Sequence, residues 1–407
     1  MQTKQATAKA HHCPPSVRLL LMALLAFTGF GFAACTSPPK SFPAQGDFVG
    51  LWVETEVDSP LAAEYLAQSY SSPKTEQEVK GLLLEFEAKP LSSRSLKELS
   101  RRASVDFATL YFARRSLQNP DAQEAQDLFF TQLAKIKKRG PLDSSIKSKI
   151  DAKLGTWKIL FVPGFHYKKE PHTGADFAHI RSFFRRLGLE TELIEILEDG
   201  RIDSNAQIIA EALRQQPLNQ PLVVVSTSKG GPETLEALHA LSTSEDPKDQ
   251  RTVQQIVAWV SLGGLLRGTP LSDTAFAWPY RPLVQLAMNL QGTRTRGLVD
   301  LRTRPRTRRL NEMNLSQLPL SIHFVAAPLL GQVSPQAKGR HLRLRRRGPN
   351  DGLTLLADSI LADSISPSSA TPHSRLIFTP GLDHFYLSPD IHLQALALAL
   401  TLPSLQH

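Results

Sequence analysis

The chain is predicted to be an α/β protein with a mostly parallel sheet and helices on both faces. Three observations predict it. From Thr156 onward, short apolar runs alternate with amphipathic helical stretches, the pattern of successive βαβ units. The run PLVVVSTSKGGPETLEAL (Pro221 to Leu238) passes from a β-branched strand through a turn of small residues into a helix. The first third of the chain instead carries helical periodicity with few glycines, so a mainly helical region precedes the α/β part.

In chain order, Lys4, Lys9 and Arg18 give a basic start without acids, and RLLLMALLAFTGFGFAA supplies an apolar core ending at Cys35. This reads as an export signal over residues 1–34. FAAC resembles a bacterial lipobox, which implies that Cys35 is lipidated and becomes the first mature residue. The apolar run is short for a membrane-spanning helix, so an anchored protein of the bacterial cell envelope is expected, at the outer membrane by the identity of Thr36. The chain has 2 Cys, and Cys13 would leave with the signal, so no disulfide is expected. Removing Lys4, Lys9 and Arg18 lowers the formal charge from +9 to about +6.

Residues 35–45 read as a Ser/Pro-rich tether. GDFVGLWVETEV (Gly46 to Val57) alternates well enough for one strand. Up to residue 153, stripes such as Leu82, Leu83, Phe86 and Leu96, Leu99, Ala103, Phe107 indicate three or four amphipathic helices, docked on the rest or forming a small domain. The α/β domain covers 154–407. Its strands are expected at Lys158–Val162, Thr191–Ile196, Leu222–Ser226, Gln255–Leu262 and Leu318–Leu330, with helices around Phe177–Leu187 and Ser204–Arg214 between them. Residues 273–314 form a candidate lid, whose Trp278, Tyr280, Leu283, Leu286 and Met288 could line an acyl pocket or pack the lid down. Residues 331–349 form a basic insertion.

Chemistry concentrates in three places. Ser228 has Ser226 two residues before and Gly230 two residues after it, the spacing of a nucleophile elbow, where bulky neighbours would collide with strand and helix. Ser226 fails the same test because Val224 would occupy its minus-two place. TWKILFVPGFHY runs from a strand into a Pro-Gly turn, where the Phe165 amide, with that of Lys229, is placed to hold an oxyanion. The Lys229 side chain itself is expected in solvent. His384 follows the strand in SRLIFTPGLDHFYL on the loop side, whereas His373 precedes that strand and His392 sits in the final helical pattern. Asp351, in a turn between Asn350 and Gly352, lies between serine and histidine in chain order. Asp358 and Asp363 are its rivals and read as surface residues.

Together VVVSTSKGG, FVPGF, SLGGLLRGTPLSD, NDGLT and DHFYL resemble the α/β-hydrolases of the lipase/esterase type, over roughly Thr156 to Leu402. The resemblance implies the α/β-hydrolase fold and a serine hydrolase that cleaves carboxylic esters, lipid or otherwise hydrophobic. Ser228 would be nucleophile, His384 base and Asp351 its orienting acid, with no metal and no organic cofactor. Two other readings remain: a non-catalytic envelope lipoprotein using the scaffold for interactions, and an acyltransferase. Arginines crowd residues 294–309 and 340–347. Both segments leave the sheet on the catalytic side and would frame the pocket mouth, meeting anionic lipid or polysaccharide unless paired internally. Nucleic acid is not expected, since no aromatics interleave these arginines. No Cys/His metal spacing or phosphate-binding glycine loop occurs.

Overall fold

The computed structural model describes residues 39–361 and 374–406. The expected signal, Cys35, Asp363 and His373 lie outside them. The single strand expected over 46–57 is an antiparallel pair, β1 (Phe42–Phe48) and β2 (Leu51–Val57). The two turn at Val49 and Gly50, both with positive φ. Two positive φ values in a two-residue loop favour Asn or Gly, so Val49 hid the turn. The tether expected over 35–45 therefore ends before Phe42, because Ala44 and Phe48 are buried against Tyr65 and Leu66.

Six helices follow among the described residues, from Pro60–Ala67 to Ser144–Lys153, where three or four were expected. Each opens on a side chain accepting a hydrogen bond from the first turn: Ser59, Ser72, Ser92, Ser104, Asn119 and Asp143. Such caps stop and restart helices that periodicity alone would merge.

Six parallel strands form the main sheet: β3 (Lys158–Val162), β4 (Glu190–Leu193), β5 (Leu222–Thr227), β6 (Ile256–Leu262), β7 (Ser321–Ala327) and β8 (Ser374–Pro380). Their order is β4-β3-β5-β6-β7-β8. Alternate side chains sort to opposite faces. Ile159, Phe161, Val223, Val260 and Phe324 meet helices Ala178–Arg186 and Ile391–Thr401, while Leu160, Val162, Leu222, Val224 and Trp259 meet Ile202–Arg214 and Gly230–Ser242. Chain direction across the sheet reverses between β3 and β5, and such a reversal opens a crevice at the strand C-terminal ends.

The N-terminal helices dock on the β7–β8 end of this sheet, burying Val325, Ala327, Leu376 and Phe378. Gln126 satisfies the free edge of β8: Phe378 N–H donates to its Oε1 at 2.8 Å, and its Nε2 donates to the Phe378 carbonyl at 3.1 Å. An uncovered edge strand invites pairing with another chain.

A buried acid joins the two regions. Asp106 accepts from the N–H groups of Asp58 and Leu330, and Asp58 accepts from Arg345 at 2.5 Å. Burial, then the Asp58 charge, raises the Asp106 carboxyl from 3.8 to about 8. The folded protein thus holds a proton there that the unfolded chain has released above the ordinary carboxylate range. Stability contributed by this group is lost as pH rises from about 4 through 8. Asp106→Asn is expected to abolish that part of the decline, read as urea midpoints at pH 5.5 and 8.5. A parallel decline in the variant would show that the proton lies elsewhere.

Candidate active site

Strand β5 delivers Ser228 in a left-handed turn, φ +53°, a conformation costly for a side-chain-bearing residue and kept where the surroundings enforce it. Glycine at 230 is required: a Cβ there would stand 2.6 Å from the Pro163 carbonyl oxygen. Gly231 likewise has the Gly264 Cα 2.7 Å from where its Cβ would be. Ser226 fits the minus-two place because its hydroxyl is consumed, accepting from Trp259 Nε1 at 2.9 Å. The turn is pinned by Ser228 N–H donating to the Leu262 carbonyl and by Leu265 N–H donating to the Ser228 carbonyl, each at 3.1 Å.

Asp351 and His384 come together. His384 Nδ1 lies 2.8 Å from Asp351 Oδ2, both side chains being buried. Asp351 Oδ1 accepts from the N–H groups of Leu353 and Thr354 at 2.8 Å, which leaves Oδ2 for the imidazole. The His384 N–H donates to the Asp351 carbonyl at 2.9 Å. Flanking anchors hold the loop: Asp383 accepts from Ser334 N–H at 2.8 Å, and the Tyr386 hydroxyl donates to the Phe324 carbonyl at 2.6 Å. Nearby, burial pushes His341 down to about 4, so that ring stays neutral behind the acid.

His384 Nε2, the ring atom away from Asp351, has no hydrogen-bond partner among the described residues. Its ring and Ser228 line one cavity of about 650 Å3, together with Gly164, Phe165, Thr227 and Leu353. No hydrogen bond joins Nε2 to Ser228 in this resting state, and such contacts commonly tighten only around substrate. Gly164, where a Cβ would lie 3.4 Å from Ser228 Cβ, brings the loop after β3 beside the serine. Among the described residues, the N–H groups of Phe165 and Lys229 donate no hydrogen bond to the protein.

The same strand geometry occurs in solved structures. The metagenomic carboxyl esterase MGS0156 is 22% identical, with a TM-score of 0.50, over 61% of this chain and 76% of its own. The chain has the α/β-hydrolase fold. The mature lipase BlEst2 of Bacillus licheniformis (18% identical, TM-score 0.45, 61% of this chain and 91% of its own) is also similar. So is EstA of Clostridium botulinum (11%, 0.43, 60% and 87%). The sequence matches no protein-family model and no curated protein.

Within this fold, several side chains depart from expectation. Lys229 is not solvated: it is 1% exposed and pairs with fully buried Glu233. Asn205 Nδ2 also donates to Glu233 Oε1, at 2.7 Å. Burial raises Glu233 to about 7 against the pull of Lys229. Asp358 is not a surface residue either. It accepts from Ser93 Oγ at 2.6 Å, tied to the N-terminal helices, with its carboxyl raised by burial. His392, as expected, sits in the final helix, packing edge-to-face on Phe183 and lining the cavity wall.

The apolar residues of the segment 273–314 do not line the cavity. None of Trp278, Tyr280, Leu283, Leu286 and Met288 lines the cavity. The segment is held by neighbouring loops: Arg294 N–H donates to Asp199 Oδ2, and Lys169 Nζ donates to the Gly292 carbonyl and Thr293 Oγ1. Met288 is buried, whereas Trp278, 84% exposed, and Leu283, Leu286 and Leu290 are exposed in the same segment. The arginines divide likewise. Arg306 and Arg309 pair with Glu236, and Arg308 with Glu312. Among the described residues of these segments, Arg340 reaches the mouth, over the Phe385 ring.

Sequence reasoning assigned no role to Gly263. It has φ +52°, and a Cβ there would stand 3.2 Å from His384 Nδ1 and 3.4 Å from Asp351 Oδ2. It forms the floor of the pair, and its signal was the Gly-Gly step directly after β6. Among the described residues, no His, Cys, Asp and Glu cluster could hold a metal, and no helix is long and apolar enough to cross a membrane.

Proposed function

We propose that this chain is a serine hydrolase of carboxylic esters acting through an acyl-enzyme. The observation that carries the reading is the buried Asp351–His384 contact of 2.8 Å beside a serine held at positive φ on the same cavity. Ser228 Oγ gives its proton to His384 Nε2 as it attacks the acyl carbon. The resulting oxyanion takes the amide hydrogens of Lys229 and Phe165. Asp351 holds the ring with Nδ1 protonated and stabilises the imidazolium. The proton then passes to the departing alcohol, and water, activated by His384, releases the acid. Hydrophobic esters suit the lining, where apolar residues such as Phe177, Val225 and Leu262 predominate.

Fluorophosphonate labelling tests this. The wild type should label, and Ser228→Ala and His384→Ala should not. Absence of labelling in folded wild-type protein, with and without detergent, would favour the scaffold reading.

The same proposal places the protein on a bacterial envelope membrane, anchored through Cys35 and touching anionic lipid. The exposed Trp278, Leu283, Leu286 and Leu290, with exposed Arg281, Arg294 and Arg296 in the same segment, support this contact. Exposed apolar side chains together with cations suit an anionic bilayer surface. Cys35→Ala should move the protein from the membrane to the soluble fraction. In that background Trp278→Ala should weaken binding to phosphatidylglycerol vesicles. Binding unchanged by Trp278→Ala would remove the segment from the contact.

A further inference from the structure

Alternate residues of neighbouring parallel strands share one face of a sheet. On the face toward helices Ala178–Arg186 and Ile391–Thr401, Ile159 and Phe161 stand beside Val223 and Val225, followed by Val260 and then Phe324. Besides packing on those helices, these side chains line the cavity of about 650 Å3 that also holds Ser228 and His384. Folded interiors keep few voids larger than a water molecule. An apolar space of this size next to reactive groups has the dimensions of a ligand site.

Its polarity is graded along the strands. The charged lining residues are Glu170, in the loop after β3, and Arg340, on the helix Pro335–Leu344 that follows β7. The other end is walled by Leu154, Trp157, Ala399 and Leu402, and the polar side chains that the two covering helices add are His179, His392 and Gln394. From Gly164 back to Trp157 the strand path covers about 23 Å at ~3.3 Å per residue. Apart from Glu170 and Arg340 the lining carries no Asp, Glu, Lys or Arg.

We infer that, in the ester hydrolase proposed above, this channel takes the straight acyl chain of a long-chain fatty ester. The carbonyl sits at Ser228 and the methyl end beside Trp157 and Leu402. The alcohol portion stays at the mouth, among Glu170, Arg340 and Phe385.

Two measurements on the full-length protein test this. Stearate spin-labelled near its methyl end and stearate labelled near its carboxylate are titrated separately. Trp157 emission is read as the difference between wild type and Trp157→Phe. Stronger quenching by the methyl-end label is expected; equal or weaker quenching overturns the placement. In parallel, kcat/KM is measured for p-nitrophenyl butyrate through palmitate in mixed micelles. Ala399→Phe, which fills the far half, should lower the palmitate-to-butyrate ratio about tenfold or more, chiefly through KM. An unchanged ratio in a folded Ala399→Phe protein would also overturn the inference. Should no ester of any length be cleaved while methyl-end quenching persists, the hydrolase reading fails and the channel stands as a fatty-acyl site.

Discussion

Ser228→Ala should lower kcat on a hydrophobic ester by a factor on the order of 10^6, the scale of loss when the nucleophile of such a site is removed. KM should change little, because the cavity wall is untouched. The fold should survive: Nε2 of His384 already lacks a partner in the resting state, so the substitution orphans no group there. The left-handed turn persists as well, since the Leu262 and Leu265 backbone bonds that pin residue 228 do not involve its side chain. Asp351→Asn should cost less, on the order of 10^4. There the serine and base remain, but the amide can stabilise the wrong tautomer. The residual rates in both variants come from the oxyanion donors and from binding. Steady-state kinetics beside circular dichroism check the pair, and a Ser228→Ala rate within tenfold of wild type would end the nucleophile assignment.

Glu233→Ala should be the most destabilising single change near the site, by about 3–5 kcal/mol. It leaves the Lys229 ammonium enclosed and without its carboxylate, since Lys229 is 1% exposed and Gly297 packs against its stem. Asn205 loses an acceptor in the same step. Lys229→Met should cost less, because Glu233, already raised to about 7 by burial, can take a proton and remain neutral. The double change Lys229→Met with Glu233→Leu should recover most of the loss, as apolar replacement of buried ion pairs commonly does. Urea denaturation of all three at pH 8 tests the order. Equal destabilisation by the two single changes would contradict it. Lys229 follows the nucleophile directly, so Glu233→Ala should also reduce kcat beyond what the folded fraction explains.

Much of this was legible because it is local. A β-branched strand, a turn of small residues and a helix are written within eighteen residues around Ser228, and backbone sterics alone demand glycine at 230. The Asp351 turn and the His384 loop were marked by their own glycines and by chain order. Where the reading went wrong, the deciding contacts were between distant residues. Lys229 reads as an exposed cation until Glu233, Asn205 and Gly297 enclose it. Asp358 reads as surface until Ser93 reaches it from the N-terminal helices.

By itself, the sequence determined the parallel α/β architecture, the order of the strands along the chain, and three side chains of the right chemistry on loops after strands. These follow from hydrophobic periodicity and turn sterics, which act over a few residues. Only the tertiary structure decided that Asp351 meets His384 through Oδ2 while its other oxygen is held by backbone amides. It alone kept Trp278, Tyr280, Leu283, Leu286 and Met288 out of the cavity lining and set the cavity between the sheet and its covering helices beside Ser228. Those outcomes depend on how whole layers pack, and packing sums many weak contacts between residues far apart in the chain.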